Sequence, residues 1–228
     1  MSFSVDKSRG LYPYIDRLFE SAFVFNANQF LLDGGKTRQI KRFLSGLEFD
    51  SIVDIGCGPG NWAKIARGQY VGIDTSPSFI KTCIKRYSGD PRKRFIQADA
   101  AGITLGQTFD LAMLISVLHH LSDNEASRVC HWVALSTKYF FVLDLYPNPR
   151  NPVSRFLYAM DRATFIREPR EQERLLTKDN LFRVIRKEDY YCPNRFHRHT
   201  LYLLESRSFH TQACQSADQD HSHVIHVL

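Results

Sequence analysis

Val53-Asp54-Ile55-Gly56-Cys57-Gly58-Pro59-Gly60 is the stretch that decides the fold of this chain. Ser51-Ile52-Val53 reads as a short apolar strand, and three glycines then alternate with other residues. Glycine has no Cβ and takes positive φ freely, so such a turn lets backbone N–H groups come close to a ligand. The spacing predicts a helix over about 61–67, with its N-terminal donors aimed at the same spot. A strand, a tight turn and a helix make a nucleotide cradle.

Spacing decides which nucleotide. A dinucleotide fingerprint needs a third glycine where this chain has Asn61, and a P-loop needs Gly-Lys-Ser/Thr where it has Gly60-Asn61-Trp62. Further along, Tyr70-Val71-Gly72-Ile73-Asp74 is a second strand ending in an acid, 20 positions after Asp54. A carboxylate at that place can accept both ribose hydroxyls. Phe95 to Asp99-Ala100 is a third strand ending in Asp, and Phe109 to Ile115 a fourth, followed by Ser116-Val117-Leu118-His119-His120-Leu121. One strand-end Asp is commonly a helix cap. All these features in this order are far more specific.

Over residues 50–145 these motifs resemble the class I S-adenosylmethionine (SAM) methyltransferases that act on small molecules and carry Val-Leu-His-His-Leu after the fourth strand. The resemblance implies an α/β fold: a Rossmann-like, seven-stranded, mostly parallel sheet with an antiparallel last strand, helices on both faces and an N-terminal helical cap. It implies SAM as cofactor and S-adenosylhomocysteine as product. Asp54 would serve the amino end of the methionine moiety, with Gly56, Cys57, Gly58, Gly60, Asn61 and Trp62 along the ligand. Asp74 and Thr75 would take the ribose, Asp99 and Ala100 the adenine, and Ser116 the sulfonium side. His119 and His120 are the catalytic candidates, because they alone in the motifs titrate near neutral pH. One of the two could reach the acceptor as a base, His119 first, while the other packs or caps; a structural role for both is the alternative, and an already neutral N-acceptor needs no base. No metal is expected.

Alternation of strands and helices predicts the same parallel sheet without the resemblance. Residues 1–48 read as an N-terminal cap, helical over 11–46 with a break near Asp33-Gly34-Gly35. Helices are expected at about 76–88, where Ser76-Pro77 makes a good start, and at 123–136. Tyr139 to Leu143 is a fifth, buried strand, preceded by Leu135-Ser136-Thr137-Lys138 where many relatives have Pro-Gly-Gly. Residues 146–180 read as a substrate-side insertion, helical over 153–178 with a break at Pro169. Leu181 to Tyr191 and Arg198 to Ser206 alternate as two antiparallel strands, the last beside strand five. The domain thus ends near 206, and 207–228, rich in Ser, Gln, Asp and His, reads as a disordered tail. His221, His223 and His226 in it could bind a metal by local spacing, but no acidic or cysteine partner is fixed nearby.

At 228 residues and 43% hydrophobic, the chain suits one globular domain. Five widely spaced cysteines without a C-x-x-C read as reduced thiols of a cytoplasmic protein, and Met1 to Gly10 lacks an apolar signal core. No run is long enough for a membrane span. Cys57 fills a place that needs a small side chain, and its thiol reads as packing. The net charge is +6, and residues 150–198 hold twelve Lys/Arg against seven Asp/Glu. A basic cover suits an anionic or lipid-like small-molecule acceptor, as arginine pairs with carboxylates and phosphates; a solvated basic face is the plainer reading. Arg162 or Arg167 could hold that anion, with Tyr12, Tyr14, Phe19 and Phe165 as apolar walls. Ile115-Ser116-Val117-Leu118 stands where a DNA or N-amino methyltransferase has Asn/Asp-Pro-Pro-Tyr, so no specific nucleic acid is expected. Protein or RNA methylation and a non-catalytic SAM-binding subunit remain as alternatives. The oligomeric state is not legible.

Overall fold

The computed structural model describes residues 35–103, 105–146, 164–191 and 198–209. Seven strands form one sheet in the order β3-β2-β1-β4-β5-β7-β6. They are β1 (Ile52–Ile55), β2 (Tyr70–Asp74), β3 (Lys93–Gln97), β4 (Phe109–Ile115), β5 (Thr137–Tyr146), β6 (Phe182–Tyr191) and β7 (Arg198–Ser206). The first five run parallel, and β7 is antiparallel to both β5 and β6. This is the expected Rossmann-like sheet with a reversed last strand.

Both faces are covered, which is why β1 and the middle of β5 are buried on both sides. On one face Val53, Val71, Ala112, Leu114, Phe140, Val142, Tyr202 and Leu204 pack under two helices. These are α3 (Asp123–Ser136), through Val129, Cys130 and Val133, and α4 (Pro169–Leu176), through Leu175 and Leu176. On the other face Ile52, Leu111, Met113, Phe141, Leu143 and Leu201 meet Ile40 and Phe43 of α1 (Lys36–Phe43). The fourth helix, α2 (Pro77–Arg86), lays Ile80 and Cys83 near Cys57 and Phe95. Its Ser76 cap accepts from Phe79 N with proline in the first turn, as the Ser-Pro pair predicted.

Three local expectations need correction. The helix over 61–67 is a single 3₁₀ turn, Ala63–Ile65, with Ala66 already extended. The chain must re-enter the sheet at Tyr70, and Ala63 N–Gly60 O and Ile65 N–Trp62 O bonds close only short turns. Pro169 does not break a helix; it begins one. Glu168 and Glu171 form a capping box around it, and proline costs nothing at a position whose N–H has no helical partner. Where Pro-Gly-Gly is absent, α3 passes straight into β5 at Thr137. Ser136 and Thr137 donate their hydroxyls to Trp132 O and Val133 O, satisfying carbonyls that a glycine turn would otherwise serve.

The N-terminal cap before Gly35, residues 147–163 of the insertion, and the tail from 210 lie outside the described residues. Gly35 takes φ 86° and opens α1; the helix expected before Asp33-Gly34-Gly35 lies outside the described residues. Among the described residues no helix is long and apolar enough to cross a membrane.

Candidate functional site

Strand order reverses between β1 and β4, and in open α/β sheets ligands sit outside the carboxyl ends of the strands at such a point. The turns that leave these two strands touch. Gly56, Gly58 and Gly60 take φ +70°, +53° and +74°, and a Cβ on Gly56 would lie 2.4 Å from Val117 Cγ2. Glycine is required there twice, for the backbone angle and for the space. The N–H groups of Gly56 and Cys57 both donate to Ile73 O, which fastens the turn to the end of β2.

Asp74, the last residue of β2, accepts from Gly58 N and Ser76 N, each at 2.8 Å. Burial nonetheless holds its carboxyl above the usual range, so the group sits in a partly dry pocket rather than in water. Thr75 beside it is exposed. Asp99 is exposed too and accepts from Ala101 N at 2.9 Å, while Trp132 Nε1 donates to Ala100 O. The Asp99–Ala101 turn is thereby anchored to α3. Asn61 accepts from Arg86 at 3.1 Å, and the same guanidinium nitrogen donates to Pro59 O. Trp62 packs on the α1 side of the core.

Asp54 is buried on β1, where Tyr70 donates a 2.5 Å hydrogen bond to it. Burial pushes its pKa from 3.8 up to about 7, only partly opposed by the Tyr70 bond, and the Asp74 charge adds to the rise. The folded state therefore prefers the protonated form. Its stability contribution is full below pH 3.8, falls as pH rises, and is gone above about 7. That gap corresponds to at most roughly 4 kcal/mol. Asp54→Asn keeps an acceptor for Tyr70 and should raise the melting temperature of the ligand-free protein at pH 8 while changing little at pH 4. Equal shifts at both pH values would contradict a titrating Asp54.

Cys57 lies under Gly72, and Cys83 donates to Gly58 O at 3.2 Å. Contact with Cys83 and burial push the Cys57 thiol far up, so it stays protonated and inert. This agrees with its reading as a small packing residue.

After β4, Ser116 takes φ +57°, rare for a residue with a side chain, and donates its N–H to Leu143 O. Lys36 Nζ reaches its hydroxyl at 3.3 Å. The two histidines divide: His119 is fully buried and His120 is exposed, with ring centroids 4.2 Å apart. His119 Nδ1 lies 2.5 Å from Asp144 Oδ1 of β5, itself buried. The histidine expected to face an acceptor is thus the one packed inward.

Arg167 does not hold an anion. Its five N–H donors are committed: Nε and Nη2 to Asp123, Nη1 to Leu118 O and Phe165 O, and Nη2 also to Leu121 O. It rivets the residue 118–121 turn to the segment entering α4, and Thr164 and Phe165 donate to His119 O beside it. Phe165 is partly exposed under this guanidinium; Tyr12, Tyr14, Phe19 and Arg162 lie outside the described residues. Among those residues no cluster of three His, Cys, Asp or Glu could hold a metal.

Sequence reasoning missed Asp144, Lys36 and Tyr70. Asp144 had a signal, as the acid interrupting the apolar run Tyr139 to Tyr146. Lys36 directly follows Gly34-Gly35, which only marked a helix break.

Residues 52–138 match the family described as a methyltransferase domain. Trans-aconitate 2-methyltransferase of Klebsiella pneumoniae (strain 342) is 32% identical over 101 residues, covering 41% of this chain and 39% of that protein. mRNA cap guanine-N(7) methyltransferase 1 of Oryza sativa subsp. japonica is 41% identical over 97 residues, covering 34% of this chain and 26% of that protein. The chain thus spans well under half the length of these curated relatives. Among solved structures, N-methyltransferase NodS from Bradyrhizobium japonicum WM9 in complex with S-adenosylhomocysteine superposes with a TM-score of 0.67 at 12% identity. It covers 87% of this chain and 100% of that one. Magnesium protoporphyrin IX methyltransferase from Synechocystis PCC 6803 gives 0.62 at 16% identity over 85% and 99%. These likenesses show a shared fold.

Proposed function

We propose that this chain, whose residues 52–138 match a methyltransferase domain, is a class I SAM-dependent methyltransferase and moves the methyl group of SAM to a small-molecule acceptor. The observation that carries the reading is the β1 turn: three positive-φ glycines closed on Asp74, with no α-helix N-terminus behind them. A pyrophosphate needs such a helix end; an uncharged ribose and adenine do not.

The residues present fit the cofactor. A side chain at Gly56 would collide with Val117 and push the β1 and β4 turns apart, Asp74 and Asp99 are acceptors for a diol and an amine, and Asp54 is an acid next to the turn. Bound SAM supplies an electrophilic methyl on a positive sulfur. What the protein adds is alignment and exclusion of water, worth up to about 7–11 kcal/mol of barrier. Ser116 to Leu121, held by Arg167 and by the His119–Asp144 pair, fixes the wall against which an acceptor would lie. An acceptor that must lose a proton would meet the exposed His120; His119 sets the shape of the turn.

Of the acceptor classes, a small anionic molecule fits best. Residues 150–198 carry the basic excess, and one similar protein is named for trans-aconitate. Lipid-like acceptors are a variant of the same reading. Capped RNA is the competing class, supported by the plant relatives; protein methylation and a non-catalytic SAM-binding role have no observation of their own here. Radiolabelled methyl transfer from SAM to parallel panels of small carboxylic acids and cap-analogue RNAs discriminates. Label in the carboxylic-acid panel alone is expected; label in the RNA panel alone would replace the proposal. The free, buried cysteines Cys57, Cys83 and Cys130 suit a reducing compartment such as the cytoplasm.

A further inference from the structure

Arg167 is spent on backbone carbonyls and Asp123, so a basic cover that holds an anion must use another residue. Arg198 has the right setting. It is the first residue of β7 and stands opposite Tyr146, the last of β5, and Tyr191, the last of β6. Residues opposite one another in a ladder share a face, so Tyr146, Arg198 and Tyr191 form one rung. The guanidinium lies over both rings, 5.7 Å from the Tyr146 centroid and 4.9 Å from that of Tyr191. The side chains of Tyr146 and Tyr191 share a hydrogen bond, which fixes the rings around it.

Aromatic faces hold the plane of an arginine and leave its N–H edge unused. Among the described residues that edge has neither a hydrogen-bond acceptor nor a carboxylate within ion-pair distance. The acids of the next rung inward are both engaged elsewhere: Asp189 accepts from Thr200 Oγ1, and Asp144 pairs with His119. The place also suits an acceptor. The carboxyl ends of β5 and β6 and the start of the reversed β7 lie at the end of the sheet that carries the β1 and β4 turns. β7 is two strands from β4, about 10 Å at ordinary strand spacing.

We propose that Arg198, presented by Tyr146 and Tyr191, binds a carboxylate of the acceptor at the end remote from the atom that takes the methyl group. This rests on the anionic-acceptor reading above and gives that reading a specificity-determining residue. The planar fork takes a carboxylate through two parallel hydrogen bonds. The acceptor is then a di- or tricarboxylic acid of a few carbons, long enough to reach from the residue 116–121 turn to the β7 edge.

Titration calorimetry of the full chain, saturated with S-adenosylhomocysteine, against acetate, succinate and trans-aconitate tests the assignment. Wild type should bind at least one of the two longer acids saturably, and acetate about 10-fold more weakly or worse. Arg198→Met, whose stem still packs between the rings, should lose about 10–100-fold of that affinity, the value of a charge-assisted pair. Its melting temperature and its affinity for S-adenosylhomocysteine should stay at the wild-type values. Arg198→Lys should recover only part of the loss, because an ammonium lacks the fork. If wild type binds none of the acids, or Arg198→Met binds them as wild type does, the proposal fails. If Arg198→Met also lowers the melting temperature or cofactor affinity to match its loss, Arg198 only packs the tyrosine rung, and the proposal fails as well. Wild type that does not bind S-adenosylhomocysteine would instead overturn the SAM reading itself.

Discussion

Replacing Asp144 by alanine is expected to cost about 3–5 kcal/mol of folding stability, the range seen when one partner of a buried pair is removed. Both Asp144 and His119 are essentially inaccessible, so water cannot replace the lost carboxylate. Asp144 stands opposite Thr200 in the β5–β7 ladder and His119 follows β4, so the pair ties the turn after β4 to the centre of the sheet. Asp144→Asn retains an acceptor of the same shape and should lose less than half as much. Urea unfolding of both variants, read as the shift in midpoint at constant slope, checks this. Equal midpoints for wild type and Asp144→Ala would show that the pair contributes nothing to the turn.

Arg167→Ala should be comparably severe, on the order of 4 kcal/mol. The weight lies in the carbonyls of Leu118, Phe165 and Leu121 rather than in the ion pair. The Asp123 side chain is 76% exposed, and an ion pair open to water is worth little. The buried carbonyls lose a donor that nothing nearby replaces. Arg167→Lys should rescue little, because one ammonium cannot reproduce a planar fork with five donors. Hydrogen exchange should show lost protection at His120 and Leu121, whose N–H groups close the turn that Arg167 clamps. A variant with only an exposed-pair penalty, below about 1 kcal/mol, would contradict the rivet.

Strand positions, strand ends and the glycine turn were legible because each rests on a local signal. Glycine spacing, a terminal acid and an apolar run of buried-strand length are properties of neighbouring residues. The helix at 61–67 was overcalled because its residues suit a helix while the distance back to Tyr70 leaves room for one turn. Arg167 was misread for a different reason. Its charge suggested an anion, but the acceptors it serves are backbone carbonyls of residues 118 and 121, invisible to any pattern of side chains. Lys36 and Asp144 belong to the same class: each acquires meaning from a partner eighty or twenty-five positions away. Tertiary pairing of this kind leaves no periodic trace.

The central claim is that the β1 turn and the acids around it hold SAM rather than a dinucleotide. Titration calorimetry of the full chain with S-adenosylhomocysteine and with NAD, on wild type and Asp74→Ala, tests it most directly. Saturable heat with S-adenosylhomocysteine and none with NAD is predicted. Asp74→Ala should weaken binding about 10-fold or more, through loss of charge-assisted bonds worth roughly 1.5–3 kcal/mol each. Saturable NAD binding with no heat from S-adenosylhomocysteine would contradict the account.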